Sequence, residues 1–177
     1  MDEPVIEIEV FTDFVWPWCY LSTVSIDKLR DEQNIKIKWA YFPLHPDTPM
    51  EGQLLTDLFK GREAQLAGFK QQMTGLMAEQ GLAYGDRTKT YNSRLAQELG
   101  CWADTQANGD EFHKQLYRAY FVDNLNISDP ELLVSLVEKT DLDSAEARKV
   151  LAQRTFSEQI DQDWSRAHSF GVTGVPT

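Results

Sequence analysis

Cys19 is the residue whose position in this sequence could make it chemically reactive. It lies two residues after Pro17, and proline, with its fixed φ and missing N–H, suits the first position of a helix. A cysteine in the first turn of a helix lies near unpaired backbone N–H groups and the positive end of the helix dipole. Both effects favour the thiolate, so we expect the pKa of the Cys19 thiol to be lowered.

The residues around Cys19 predict a strand followed by a helix. Apolar residues alternate with glutamates from Ile6 to Val10, which is the pattern of a strand. From Cys19 to Leu29 the apolar residues recur at helical spacing. Residues 35–41 alternate again and predict a second strand, so the three elements together predict a parallel βαβ unit with a right-handed connection.

The rest of the sequence is predicted to be helical. From about Gln53 to Phe170 every periodic pattern is that of a helix, and Asp129, followed by Pro130, has the composition of a helix start. Asp143, with a glutamate three residues later, predicts a capping box for another helix.

Two motifs give the chain a family resemblance. The strand, Asp13-Phe14-Val15, then Trp16-Pro17-Trp18-Cys19 and a helix resemble the DsbA family of thioredoxin-like proteins, in particular its FrnE-like branch. That branch usually has Cys-Pro-Trp-Cys at these four positions, so Trp16 stands where the first cysteine would be. Gly171 to Thr177 resembles the family's loop that ends in a cis-proline beside the active site. The resemblance, which extends from Ile6 to Thr177, implies an α/β thioredoxin-like fold with a large all-helical insertion.

The resemblance also implies how the chain is divided. Residues 1–52 would form the N-terminal βαβ part of the thioredoxin-like domain, residues 53–170 the helical insertion, and residues 171–177 the cis-proline loop that returns to the domain. In this fold the cis-proline leads into a further strand, its hairpin partner and a last helix, whereas the sequence ends one residue after Pro176. The sequence could be a fragment, another chain could supply the hairpin, or the sheet could be small; we expect the first, with the C-terminal strands missing here.

The function implied by the resemblance is thiol–disulfide oxidoreduction. In a Cys-X-X-Cys site the first cysteine attacks, and the second resolves the mixed disulfide and releases the product. Because Trp16 replaces the first cysteine, Cys19 is expected to be the catalytic residue of a monothiol site, or else a buried remnant. Cys101 could act as its partner if it lies close, but free cysteines are more often small buried apolar residues.

Other residues are predicted to bind the substrate. Trp16 and Trp18 could form an aromatic wall for a ligand, although Trp16 could instead pack over the cis-proline and close the cleft. A cis bond between Val175 and Pro176 would expose the Val175 backbone to an extended peptide or to glutathione. The substrate-binding residues expected from the motifs are Trp16, Pro17, Trp18, Val175, Pro176, His45 and Asn92.

His45 and Asn92 each have a simpler interpretation. His45, in the proline-rich loop after the second strand, could stabilise a thiolate or act as a base, but it could also be an ordinary surface histidine. Asn92 is similar to an asparagine that faces the active site in FrnE-like proteins. A role in capping the helix that follows would also explain it.

Two further functions share the fold. A related branch contains the kappa-class glutathione transferases and the 2-hydroxychromene-2-carboxylate isomerases, which lack the dithiol and use bound glutathione. In that branch a serine usually replaces the first cysteine, and Trp16 has no hydroxyl to offer a glutathione sulfur. The third hypothesis is a non-catalytic module that binds peptides in the cleft.

Composition limits the partners. The formal net charge of −11 argues against nucleic acid and anionic membranes as partners. The three histidines have no ligand-like spacing to cysteines or carboxylates, so no metal site is expected, and glutathione is the one cofactor that the family suggests. The first four residues lack the features of a signal peptide, which predicts a cytoplasmic protein that binds a thiol- or disulfide-bearing peptide or glutathione.

Overall fold

The computed structural model describes residues 5–32 and 34–177. Residues 1–4, which entered the prediction on a signal peptide, and Gln33 lie outside the described part. The elements, in chain order, are β1 (Ile6–Thr12), α1 (Pro17–Glu32), β2 (Ile35–Tyr41), β3 (Gln53–Leu54), α2 (Leu55–Leu58), α3 (Glu63–Glu79), β4 (Lys89–Thr90), α4 (Arg94–Ala103), α5 (Gly109–Phe121), α6 (Pro130–Val137), α7 (Ser144–Gln153) and α8 (Ser157–Ser169).

The predicted βαβ unit is confirmed. Strands β1 and β2 are parallel and in register from Ile6 opposite Ile35 to Thr12 opposite Tyr41, with α1 between them. Charge supports this register, because glutamates on β1 face lysines on β2. The Lys36 and Lys38 ammonium groups lie 3.2 Å and 3.0 Å from carboxylates of β1. Each cross-strand pair of opposite charge stabilises a sheet by roughly 0.2–1 kcal/mol.

The end of the chain lies along β1. The N–H of Phe11 donates to the Thr177 carbonyl at 2.8 Å, and the N–H of Thr177 donates back to the Phe11 carbonyl at 3.2 Å. Two such reciprocal bonds are the pattern of an antiparallel pair. β1 therefore holds both β2 and the residue that follows Pro176.

The helical segment is largely as expected. Asp129 and Asp143 were predicted to cap helices. Their carboxylates accept hydrogen bonds from backbone N–H groups in the first turns of α6 and α7. The antiparallel pair of β3 and β4 was not predicted, because a two-residue strand is too short to show alternation. No helix in the described ranges is long and apolar enough to span a membrane. The division at residues 52 and 170 stays a prediction, and buried residues on both sides of it belong to one apolar core.

Helix α4 approaches the sheet closely at Gly100. A Cβ at this position would lie 2.7 Å from the hydroxyl of Tyr41 and 3.0 Å from the ring of Phe14. The Tyr41 hydroxyl donates to Asp104 at 2.9 Å and lies 3.3 Å from the ring of His113. Because these partners hold the hydroxyl, it cannot move away without losing its hydrogen bonds.

This close approach predicts opposite effects for two helical glycines. Gly100→Ala should lower the free energy of unfolding by about 1–3 kcal/mol, because the methyl group overpacks the contact with Tyr41. Gly75→Ala, on α3, has no atom within 4 Å of the added Cβ and should raise the free energy of unfolding by about 0.5–1 kcal/mol. Urea denaturation measures both, and equal shifts in one direction would contradict the packing described for α4.

Candidate functional site

The turn between β1 and α1 is held from inside by Asp13, which is fully buried. Its carboxylate accepts from the N–H of Val15 at 3.4 Å and from the N–H of Leu44 at 3.2 Å. The side chains of Ser93 and Gln97, at the start of α4, also hydrogen-bond to it. Burial raises the pKa of Asp13 to about 6, and these hydrogen bonds act in the opposite direction.

Trp16 lies immediately before α1 and caps the helix with its backbone carbonyl. The Trp16 carbonyl accepts from the N–H of Cys19 at 3.0 Å and from the N–H of Tyr20 at 3.3 Å. Pro17 occupies the first helical position, as its missing N–H predicted. The N–H of Cys19 is therefore already bonded and does not face an anion.

Cys19 lies in the apolar core and is 1% exposed. Burial raises the pKa of its thiol to about 12, and the negative charge of Asp13 acts in the same direction. Hydrogen bonds with the Thr12 side chain and the Asp13 backbone oppose this rise without cancelling it. The lowered pKa expected for Cys19 is thus wrong, because loss of hydration outweighs the effect of the helix start.

Cys101 offers Cys19 no disulfide, since both cysteines are free. It is half-buried on α4 and lines a surface cavity together with Trp39 and Asp104. Burial, followed by the negative charge of Asp104, raises the pKa of the Cys101 thiol to about 12.

Trp16 forms one wall of a cavity of about 310 Å³. Its ring stacks on Phe69 of α3, with the ring centroids 5.7 Å apart and the planes 18° from parallel. The segment between α3 and β4 also lines the cavity, through Tyr84 and Arg87. Pro176 does not line this cavity, so the structure has Trp16 as a cavity wall rather than as a cover over the proline.

Trp18 faces a second, separate concave surface. It lines a groove with Leu76 of α3, Val175 and Pro176, and the peptide bond between Val175 and Pro176 is cis. Val175 is buried, whereas Pro176 is exposed. The predicted ligand residues thus divide between two neighbouring surfaces: Trp16 with His45 on one, and Trp18 with Val175 and Pro176 on the other.

His45 and Asn92 lie at the loop after β2. His45 is exposed and lines the cavity beside Trp16. Loss of hydration, followed by the charge of Arg87, lowers its pKa. The Asn92 amide donates to the carbonyls of Pro46 and Thr48, at 3.1 Å and 2.9 Å.

Asn92 bonds to the start of α4, although the residue at the N-cap position is Ser93. Its side-chain oxygen accepts from the N–H of Arg94, the first residue of α4, at 2.9 Å. The Asn92 amide also bonds to the loop that carries His45, so Asn92 helps to position His45 in the cavity wall.

The sequence did not identify the cavity residues that come from the helical segment. Phe69 was visible only as a member of an apolar stripe, and that pattern does not separate a core residue from a cavity wall. Tyr84 and Arg87 lie in a segment without periodicity, so no sequence signal marked them. Their positions depend on Gly85, whose N–H donates to the Phe121 carbonyl at 2.8 Å and whose missing Cβ would lie 2.6 Å from the Val122 carbonyl.

Comparison with known proteins identifies the family and the fold. The family model of the DSBA-like thioredoxin domain matches residues 7–177, so the chain belongs to that family. A probable DsbA oxidoreductase from Streptomyces coelicolor is similar in structure, with a TM-score of 0.85 and 26% identity. That alignment covers 97% of this chain and 78% of the other. The α/β thioredoxin-like fold with a helical insertion is therefore confirmed, and thiol–disulfide oxidoreduction is the activity at the level of the family.

Two more distant structures share the fold. A 2-hydroxychromene-2-carboxylate isomerase has a TM-score of 0.78 and 18% identity, over 97% of this chain and 84% of its own. The cytosolic disulfide reductase DsbM from Pseudomonas aeruginosa, solved with GSH, has a TM-score of 0.70 and 13% identity. That alignment covers 97% of this chain and 84% of DsbM.

The burial of Cys19 predicts a slowly reacting thiol in the native protein. A pKa raised from 9.0 to about 12 lowers the thiolate fraction near neutral pH by about a thousandfold. In a Cys101→Ser variant, alkylation of Cys19 by iodoacetamide should therefore be slower by at least that factor than in the same variant unfolded in urea. Mass spectrometry of quenched samples gives both rates. Similar rates in the native and unfolded variant would contradict the burial of this thiol.

Proposed function

We propose that this chain is a FrnE-like member of the DsbA family that carries out thiol–disulfide exchange with a single cysteine. In this proposal Cys19 is the exchanging sulfur, and the groove formed by Trp18, Val175 and Pro176 holds the thiol- or disulfide-bearing ligand. The observation that carries the proposal is the position of Cys19 in the first turn of α1, directly after Trp18, which lines the groove. The Cys19 thiol is buried and mainly protonated, so its exchange is slow.

The groove supplies the place for the ligand. Trp18 and Leu76 give it apolar walls, and the backbone around Pro176 continues into the pairing of Thr177 with β1. An extended peptide or glutathione could lie against this backbone as an added strand. Pro17, buried at the start of α1, would fix the position of Trp18 rather than contact the ligand.

The exchange step follows from having one sulfur. A bound disulfide R–S–S–R′ is attacked by the Cys19 sulfur, which forms Cys19–S–S–R and releases R′–S⁻. The proton that Cys19 loses goes to R′–S⁻ and gives the free thiol R′–SH. A thiol such as glutathione then cleaves the mixed disulfide and restores Cys19. The small thiolate fraction of Cys19 makes the first step slow.

Glutathione is the ligand that the comparisons favour. DsbM, which has the same fold, was solved with GSH and is described as cytosolic. These facts belong to DsbM, and we propose the same ligand and a cytoplasmic location for this chain.

A second candidate is a glutathione-using enzyme without redox chemistry at Cys19. The observation that favours it is the cavity beside Trp16, which adds a separate small-molecule space next to the groove. This arrangement would let glutathione lie in the groove while a second substrate occupies the cavity. The 2-hydroxychromene-2-carboxylate isomerase has the same fold, and at 18% identity the likeness does not extend to activity.

Incubation with oxidised glutathione tests the main proposal. We expect a glutathione adduct on Cys19, formed at a rate that saturates at millimolar concentrations because the disulfide binds in the groove first. Cys19→Ser should lose this adduct, whereas Cys101→Ser, the matched control, should keep it. Peptide mapping by mass spectrometry locates the adduct.

The outcome separates the candidates. No adduct on Cys19, or labelling of Cys101 alone, would contradict the exchange proposal, and thermal stabilisation by reduced glutathione would then support the second candidate. Trp16→Cys completes a dithiol motif and should raise insulin reduction at least tenfold over the wild type. If the wild type equals Trp16→Cys in that assay, the proposed dependence on a single cysteine is wrong.

A further inference from the structure

We propose that the cavity beside Trp16 binds a small carboxylate with an apolar body, and that Arg87 holds the carboxylate group. This site lies apart from the groove and does not need exchange at Cys19, although both surfaces begin at the turn before α1. The inference depends on a cation without an anion, on the aromatic walls around it, and on the size of the space.

Arg87 is the cation without an anion. The guanidinium lies in the cavity lining and forms no ion pair with any carboxylate in the described ranges. Its Nη1 donates to the Tyr120 hydroxyl at 2.8 Å and to the Lys89 carbonyl at 3.2 Å. The Nε, which is buried, has no hydrogen-bond partner. The guanidinium therefore carries a charge that no carboxylate balances, and an anionic group in the cavity would be favoured because it supplies the missing counter-charge.

Arg87 is also held rigidly. Its guanidinium carbon lies 4.8 Å from the centre of the Tyr120 ring and 5.5 Å from that of Phe121. Stacking on aromatic faces and two hydrogen bonds fix the plane of the guanidinium. An arginine fixed in this way presents its donors in the fork geometry that matches a carboxylate.

The other cationic groups of the cavity are accounted for. Lys70 is paired with Asp86 at 2.6 Å. His45 has a lowered pKa and is therefore mainly neutral near pH 7, and the charge of Arg87 is one cause. The excess positive charge in the lining thus resides on Arg87, in a protein whose net charge is −11.

The remaining walls select an apolar body. Trp16 and Phe69 form a stacked pair on one side, and Leu66 and Phe59 complete the apolar lining. The volume of about 310 Å³ is near the lower end of the roughly 300–1,000 Å³ found for small-molecule sites. One or two fused rings, or a short alkyl chain, would fill this volume.

Calorimetric titration of the full chain with 1-naphthoate and with the neutral 1-naphthamide tests the site. We expect 1-naphthoate to bind at least tenfold more tightly than the amide. Arg87→Gln should abolish this difference, whereas Arg148→Gln, a matched change at an exposed ion pair on α7, should leave it intact. Trp16→Leu should weaken the binding of both ligands, because the Trp16 ring contacts the naphthalene ring that they share.

Each alternative has its own result. Equal binding of the acid and the amide by the wild type would overturn the proposal, and this comparison needs no variant that could misfold. A loss that follows Lys70→Gln instead of Arg87→Gln would overturn the assignment of the cation. If glutathione binds in a manner that depends on Arg87 and 1-naphthoate does not bind, the proposal that the ligand has an apolar body is wrong. Cys19→Ser should retain naphthoate binding, so failure of the exchange proposal and failure of this one are distinguishable.

Discussion

The carboxyl group of Asp13 is the constraint on which the site depends. Four segments meet on it: the end of β1, the turn that begins α1, the loop after β2 through Leu44, and the start of α4 through Ser93 and Gln97. A pKa raised from 3.8 to about 6 corresponds to about 3 kcal/mol against the charged form. Because the folded pKa is the higher one, this group stabilises the native state below about pH 4, and the contribution is lost as the pH rises through about 6.

The buried carboxyl explains why Cys19 lies inside and Trp16 outside. Fixing the turn at both Val15 and Leu44 sets the direction in which α1 leaves the sheet. The first turn of the helix then points the Cys19 side chain into the core. Trp16, one residue before the helix, is left half-buried at the surface, where it meets Phe69. In the function that we propose, Trp16 stands where the family has its accessible first cysteine, so the initiating thiol is absent and Cys19 takes part alone.

Trp16 also forms part of a cavity wall. An indole offers a larger apolar area than a thiol, and stacking on Phe69 links the start of α1 to α3. The cavity formed this way lies beside Arg87, whose own support comes from the end of α5. In our two proposals, the absence of the initiating thiol and the presence of a small-molecule space therefore follow from the same residue, Trp16.

The sequence predicted the parts of this arrangement that depend on local pattern. Alternation predicted β1 and β2, and the carboxylate caps at Asp129 and Asp143 predicted two helix starts. Motif context predicted the fold and the positions of Trp16 and Cys19. The raised pKa of the Cys19 thiol could not be predicted, because it depends on burial by segments that are distant in the sequence. The placement of Arg87 depends on an equally distant contact with the end of α5.

The most direct test of this account is a ¹³C NMR titration of the Asp13 side-chain carboxyl group. If the carboxyl is buried at the junction of the four segments, its apparent pKa will be about 6. An apparent pKa at or below about 4, the ordinary range for an aspartate, would mean that the carboxyl is hydrated and would contradict the account.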